Sequence, residues 1–184
     1  MYKERLLYTC CHEAGHSVIR VLLGHDVLGV NASNCGGCVE YPSADWNCDC
    51  GGRLLADDTN NVNFNFNPQC ANCSRFVALW LSAIYAGLAA TQLVMPHRHE
   101  EVSAAHDYHA AAELSQSYCA HPEVWCRIES AGRQLACNLV KRERKAVEAL
   151  TGALLKANGY LSGPEVIAVL TPALTSMTIE QPEI

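Results

Sequence analysis

The sequence predicts a mainly α fold carrying one small β/loop cysteine-rich insertion, and three observations predict it. Apolar residues recur at three-to-four spacing along most of the chain, as one face of a helix requires. Between residues 27 and 73 that rhythm stops, Gly, Asn and Asp accumulate, and six of the eleven cysteines appear. Helix-ending signals, Gly24, Pro96 and Asn158-Gly159, stand where periodic segments stop. With 184 residues, 49% of them hydrophobic and 17% charged, the chain fits a single domain over 1–184 with a sizeable core, and a disordered class is excluded.

Residues 4 to 23 read as the first helix, with Leu6, Leu7, Cys10, Ala14, Val18 and Val21/Leu22 on one face and Gly24 as its left-handed C-terminal residue. Short apolar pieces follow, Val27–Val30 and Gly51–Leu55, set among turn residues as in a small hairpin or irregular loop region. Asn60, Asn61, Asn63, Asn65 and Asn67 alternate with Val62, Phe64 and Phe66, an exposed-edge strand or an extended loop. Helix returns at Ser74 and stops at Pro96. Another starts near Ser103 and runs to Tyr118. Pro122 opens a longer one, lined by Val124, Ile128, Leu135, Leu139, Val147, Leu150 and Leu154, until Asn158-Gly159. Its basic run Lys141-Arg142-Glu143-Arg144-Lys145 reads as a solvated face of mixed charge. Ser162-Gly163-Pro164-Glu165 is a capping box before a last helix over Val166–Leu170.

Net charge is −6 with an isoelectric point near 5.7, and only four lysines occur. That balance disfavours a nucleic-acid partner, whose phosphates need a basic face. No phosphate-binding Gly-x-x-x-x-Gly-Lys-Ser/Thr loop is present. The opening residues Met1-Tyr2-Lys3-Glu4-Arg5 lack the apolar core of an export signal. An odd number of cysteines beside them points to thiols and metal ligands in a reducing cytoplasm. Phe76–Met95 has no charged residue and is long enough to cross a bilayer. Ser82, Gly87, Thr91 and Gln92 dilute it, so it is expected to be a buried helix with no membrane partner.

His12-Glu13-Ala14-Gly15-His16 carries the chemistry. Positions i and i+4 share a helix face, so His12 and His16 can hold one metal ion from the same side. Glu13 then stands beside the open coordination position. Zinc lowers the pKa of a bound water from roughly 15.7 to about 7, and Glu13 can take that water's proton and return it to a leaving amine. With 8 His and 13 Glu in 184 residues, roughly 0.02 such matches are expected by chance. A third protein ligand must come from afar, because Ile19 and Leu22 stand where the metzincin continuation needs Gly and His. Candidates cluster at His97, His99, Glu100, Glu101, His106, Asp107 and His109, and spacing does not choose among them.

Glu4-Arg5-Leu6-Leu7-Tyr8 followed by His12–Val18 resembles the opening of the proteolytic domain of FtsH-type zinc metalloproteases. Tyr85–Leu93 resembles that family's Gly-Gly-x-Ala-Ala-Glu-Glu helix, with Thr91-Gln92 replacing the two acids. Ser103–Asp107 through Ala111–Leu114 resembles its Gly-Ala-x-Asn-Asp…Ala-Thr-x-Leu segment, and Gly159–Val166 its closing Leu-x-Gly-x-Glu-Ile stretch. The likeness runs in order over nearly the whole chain, with only the cysteine-rich part foreign. It implies a helical zinc-metallopeptidase domain in which Asp107 is the third zinc ligand, His106 replacing the family's usual Asn beside it. The family's ATPase module and membrane spans have no counterpart, so the resemblance implies a peptidase without its motor. Such a domain is expected to act alone on peptides or unfolded protein, or to borrow a separate ATPase. The family's ring assemblies imply a homo-oligomer. His106, Tyr108 and His109 are candidate helpers beside the metal or simply solvent-facing residues.

Cys35-Gly36-Gly37-Cys38 and Cys70-Ala71-Asn72-Cys73 are two Cys-x-x-Cys knuckles with Cys48-Asp49-Cys50 between them. Such a pair can close a tetrahedral thiolate site that helps fold a polar segment. Cys35, Cys38, Cys70 and Cys73 are the candidate ligands of a second, structural zinc, with Cys48 and Cys50 as substitutes. Buried thiols, or disulfides in redox use, are the competing roles. Cys10 and Cys11 are expected to pack, and Cys119, Cys126 and Cys137 to behave as small helix-borne hydrophobes. The sequence thus predicts a zinc metallopeptidase with Glu13 as general base. The alternatives are a catalytically inactive, metal-stabilised binding module and a metal-handling protein run by the knuckles.

Overall fold

The computed structural model describes residues 2–42, 44–56, 62–96, 101–116 and 118–175. The chain is mainly α. Its first helix, α1, spans Tyr2–Leu22; strands β1 (Gly29–Ser33), β2 (Gly36–Glu40), β3 (Ala44–Asn47), β4 (Arg53–Ala56) and β5 (Val62–Asn65) follow. Then come α2 (Ala71–Val94), α3 (Glu101–Gln116), α4 (Pro122–Arg142), α5 (Arg144–Lys156), β6 (Tyr160–Ser162) and α6 (Gly163–Leu170).

Of the periodic residues of α1, Cys10, Ala14 and Val18 are fully buried, Val21 and Leu22 nearly so, and Leu6 and Leu7 half-buried; Cys11 and Ile19 are buried with them. They face α2 and α5, while α2 packs along α4. Val77, Leu81, Ile128, Val147, Leu150 and Leu154 complete this core, each large side chain contributing roughly 1.5–3 kcal/mol by leaving water. Gly24, with φ of 78°, ends α1 as expected. The helix α2 is long and apolar enough to cross a membrane, and 72% of its most apolar window is buried inside the fold. That is the environment of a core helix.

The insertion holds more strand than its turn-rich composition predicts. All of β1–β5 lie within it, arranged with β6 as two antiparallel three-stranded sheets of order β2-β1-β6 and β3-β4-β5. β5 is an edge strand, one of the two forms its Asn alternation allowed; Asn60 and Asn61 lie outside the described residues. The pairing of β1 with β6 joins residues 29–31 to 160–162. A three-residue strand shows no periodicity, so this closure was illegible. It anchors the β1–β2 hairpin against the chain's C-terminal part and holds it beside α1.

The long helix expected from Pro122 to Asn158 is broken at Glu143, where φ is −98° and ψ 22°. Glu143 also corrects the reading of the basic run as uniformly solvated. The four cations around it are exposed, but Glu143 is wholly buried. Its carboxylate accepts from Arg142 Nε at 2.7 Å and from the Thr175 backbone N–H at 2.7 Å. The apolar rhythm continues across the break, which hid it. Glu143→Ala strands a backbone donor and removes a buried partner, and is expected to destabilise by about 2–4 kcal/mol. Urea unfolding checks this; a loss below about 0.5 kcal/mol would show the carboxylate to be dispensable. The predicted capping box is present, with the Ser162 N–H donating to the Glu165 carboxylate at 2.8 Å. Cys10 and Cys11 are buried as expected, whereas Cys119 and Cys126 are exposed and do not act as packed hydrophobes.

Candidate metal centre

Four residues apart on α1, His12 and His16 turn their rings to the same side, and α3 brings Asp107 to meet them. His12 Nε2 lies 3.0 Å from His16 Nε2. The Asp107 carboxylate spans both rings, with Oδ2 3.2 Å from His12 Nε2 and Oδ1 3.4 Å from His16 Nε2. A tetrahedral ion with metal–ligand bonds near 2.0–2.1 Å separates its ligands by about 3.3 Å. The three groups therefore already stand at the edges of a zinc-sized triangle. Apart from its 3.2 Å approach to His12 Nε2, buried Asp107 Oδ2 has no partner among the described residues. His16 Nδ1 donates to the Ala83 carbonyl of α2 at 2.7 Å. That bond fixes the ring and leaves Nε2 to face the centre, the outer-shell arrangement that metal-binding histidines use. The donor set fits a divalent ion such as zinc.

Two glycines make room for this constellation. A Cβ at Gly87 would stand 2.5 Å from His16 Nε2 and 2.7 Å from His12 Nε2. Only hydrogen fits between α2 and the ligand atoms. On the other side, a Cβ at Gly37 of β2 would meet Glu13 Oε1 at 2.7 Å. Glu13 is thus enclosed between α1 and an edge strand, 4% exposed.

The charges are strongly coupled. Burial drives the Glu13 carboxyl above its usual range, the charges of His16 and His12 oppose this, and Asp107 adds to it. Burial would raise Asp107 too, but His16 and His12 outweigh it and hold the carboxylate well below the usual value. For His16, burial lowers the pKa, yet the charge and hydrogen bond of Asp107 prevail and lift it to about 9.

These shifts fix the pH behaviour of the metal-free chain. His16 is raised, so the stability it contributes is complete below 6.5 and lost as pH climbs through about 9. Asp107 is depressed, so its share is present above 3.8 and lost in acid. A metal bound here would compete with the His16 proton. Zinc affinity is therefore expected to rise about tenfold per pH unit between pH 6.5 and 9 and then flatten. Competition titration against a chelator of known pH dependence checks this, and a flat response would show that no proton is displaced.

Among the third-ligand candidates whose side chains the structure describes, Asp107 is the one brought to the histidines. His106 and His109 are exposed on α3, and His109 lies 3.5 Å from Glu113 instead. Tyr108 packs against Tyr85 and Arg133. His97, His99 and Glu100 lie outside the described residues, as does the side chain of Glu101.

The cysteine assignment needs correction. Cys35 and Cys38 sit exposed on the β1–β2 hairpin, apart from the second knuckle. Cys70 and Cys73 converge instead with Cys48 and Cys50, the substitutes, so that all four sulfurs lie within 4.8 Å of one another. The preference for two complete Cys-x-x-Cys knuckles failed because the first belongs to a hairpin in the other sheet. Spacing did contain a signal: 19 residues separate Cys50 from Cys70, within the usual 15–20 between zinc-ribbon knuckles.

Sequence reasoning missed three contributors to the histidine site. The Ala83 carbonyl has no side-chain signature. Gly37 drew notice only as part of a knuckle. Gly87 was visible as a lone glycine in an apolar helix, a pattern that often marks close approach. No protein-family model matches the chain, and no curated protein matches it.

Proposed function

We propose that the chain is a zinc-dependent metallopeptidase that hydrolyses peptide bonds with Glu13 as general base. The observation that supports this most is the convergence of His12, His16 and Asp107 beside an enclosed, otherwise costly Glu13 carboxylate. Zinc held by these three residues would polarise a water and the scissile carbonyl. Glu13 would take one proton from the water as its oxygen adds to the scissile carbonyl carbon, and would deliver that proton to the amine nitrogen as the C–N bond breaks. In the metal-free chain burial raises the Glu13 pKa, with the charges of His16 and His12 opposing.

Substrate positioning follows from β2. Its outer edge has no strand beside it among the described residues, and Gly37 on that strand abuts Glu13. An extended peptide adding to this edge would be held by main-chain hydrogen bonds with one of its carbonyls close to Glu13. That recognition suits flexible peptides or unfolded protein in the cytoplasm, taken directly or handed over by a separate ATPase. The similarity of the motif order to FtsH-type proteases agrees with it.

Incubating the zinc-loaded chain with a pool of unstructured peptides and reading new termini by mass spectrometry tests the proposal. Cleavage that a chelator stops and zinc restores supports it. Absence of new termini with zinc bound at His12 and His16 would instead favour a metal-stabilised binding module.

A further inference from the structure

We propose that Cys48, Cys50, Cys70 and Cys73 form a tetrathiolate zinc centre that staples the β3–β4–β5 sheet to the N-terminal end of α2. Cys48 Sγ lies 3.6 Å from Cys70 Sγ, and Cys50 Sγ 3.3 Å from Cys73 Sγ. Zinc–sulfur bonds near 2.3 Å place the sulfurs of a tetrahedral site about 3.8 Å apart. Two separate disulfides would need only the two pairings; here all four sulfurs converge within 4.8 Å.

The surrounding backbone is shaped for sulfur. Gly51, with φ of 85°, turns the chain after Cys50. A Cβ at Gly52 would strike Cys73 Sγ at 2.5 Å. A second observation is independent of the cysteines' own geometry. Tyr118 is 1% exposed, and its hydroxyl has no hydrogen-bond partner among the described residues. Burial, and after it the charges of Cys73, Cys70 and Cys50, push its pKa above the ordinary tyrosine value, so this buried hydroxyl lies within the electrostatic reach of the cluster.

Energetics explain why the sheet needs this staple. Residues 44–73 span about thirty positions, too few to bury a core unaided. Leu54 and Phe66 join the common core, and Trp46 stacks on Phe76 of α2 at 4.1 Å. A metal bound by two cysteines from the β3–β4 turn and two from the start of α2 would add to these few apolar contacts, since its binding free energy is folding free energy.

The test uses the full chain and does not require the histidine site. In the His12→Ala/His16→Ala variant, reduced and freed of metal, cobalt(II) is expected to produce thiolate-to-cobalt charge-transfer absorption that saturates at about one ion per chain. The Cys35→Ser/Cys38→Ser variant keeps the same absorption. Alkylation of the unsubstituted chain as isolated, with and without chelator, asks the question without touching a ligand. Cys48, Cys50, Cys70 and Cys73 should be protected until the chelator is added, and Cys35 and Cys38 labelled equally in both. Three results would each overturn the proposal: no thiolate–cobalt absorption, its loss with Cys35 and Cys38, or disulfides Cys48–Cys70 and Cys50–Cys73 in protein isolated without air.

Discussion

Glu13→Gln is expected to lower kcat/KM for peptide cleavage by about 10²–10⁴-fold, the range a general base supplies, with zinc at the histidine site retained. The glutamine amide matches the carboxylate in shape, so α1 and the β2 contact at Gly37 are left intact, and the substitution removes only the capacity to accept a proton. Burial already disfavours the Glu13 charge, so the neutral amide should unfold no more easily than the parent. The loss should fall on kcat with KM little changed, because Glu13 acts on the water rather than on peptide binding. Metal content, thermal unfolding and cleavage measured on one preparation separate the outcomes. Equal cleavage by both forms would remove Glu13 from the chemistry.

The histidine pair and the Glu13 carboxylate beside it were legible because a helix converts sequence spacing into geometry. His12 and His16 at i and i+4 must share a face, and the apolar face of α1 fixes which way that face turns. Asp107 was one of seven candidates until a resemblance singled it out, since the approach of α3 to α1 is a tertiary fact that local pattern does not encode. The cysteines show the opposite limit. Cys-x-x-Cys is a local signature, but which knuckles meet depends on sheet pairing, and β1 pairs with β6 from the far end of the chain. That pairing carries Cys35 and Cys38 away with the first sheet. Glu143 failed for a third reason: a buried carboxylate inside a basic run is defined by its partners Arg142 and Thr175, and the latter is 32 residues distant.

Gly87→Ala is expected to weaken zinc binding at His12, His16 and Asp107 by at least about 10–100-fold, the effect of disturbing the shell behind metal ligands. Cleavage should fall in parallel. The added methyl would stand 2.5 Å from His16 Nε2 and 2.6 Å from His12 Cε1, inside contact distance, so one ring must move and the 3.0–3.4 Å triangle opens. His16 cannot yield freely, because Nδ1 is tied to the Ala83 carbonyl one turn earlier on the same helix. Helix propensity works the other way, since alanine favours α2 over glycine by about 1 kcal/mol. The metal-free variant should therefore unfold within about 2 kcal/mol of its parent. Two buried histidines serving only as packing would lose stability to the methyl and nothing else. A metal cradle loses affinity first. Chelator competition at a pH well above 9, where His16 has lost its proton, isolates that loss. Undiminished zinc affinity and cleavage in Gly87→Ala would show that the ligand atoms do not need the space this glycine leaves.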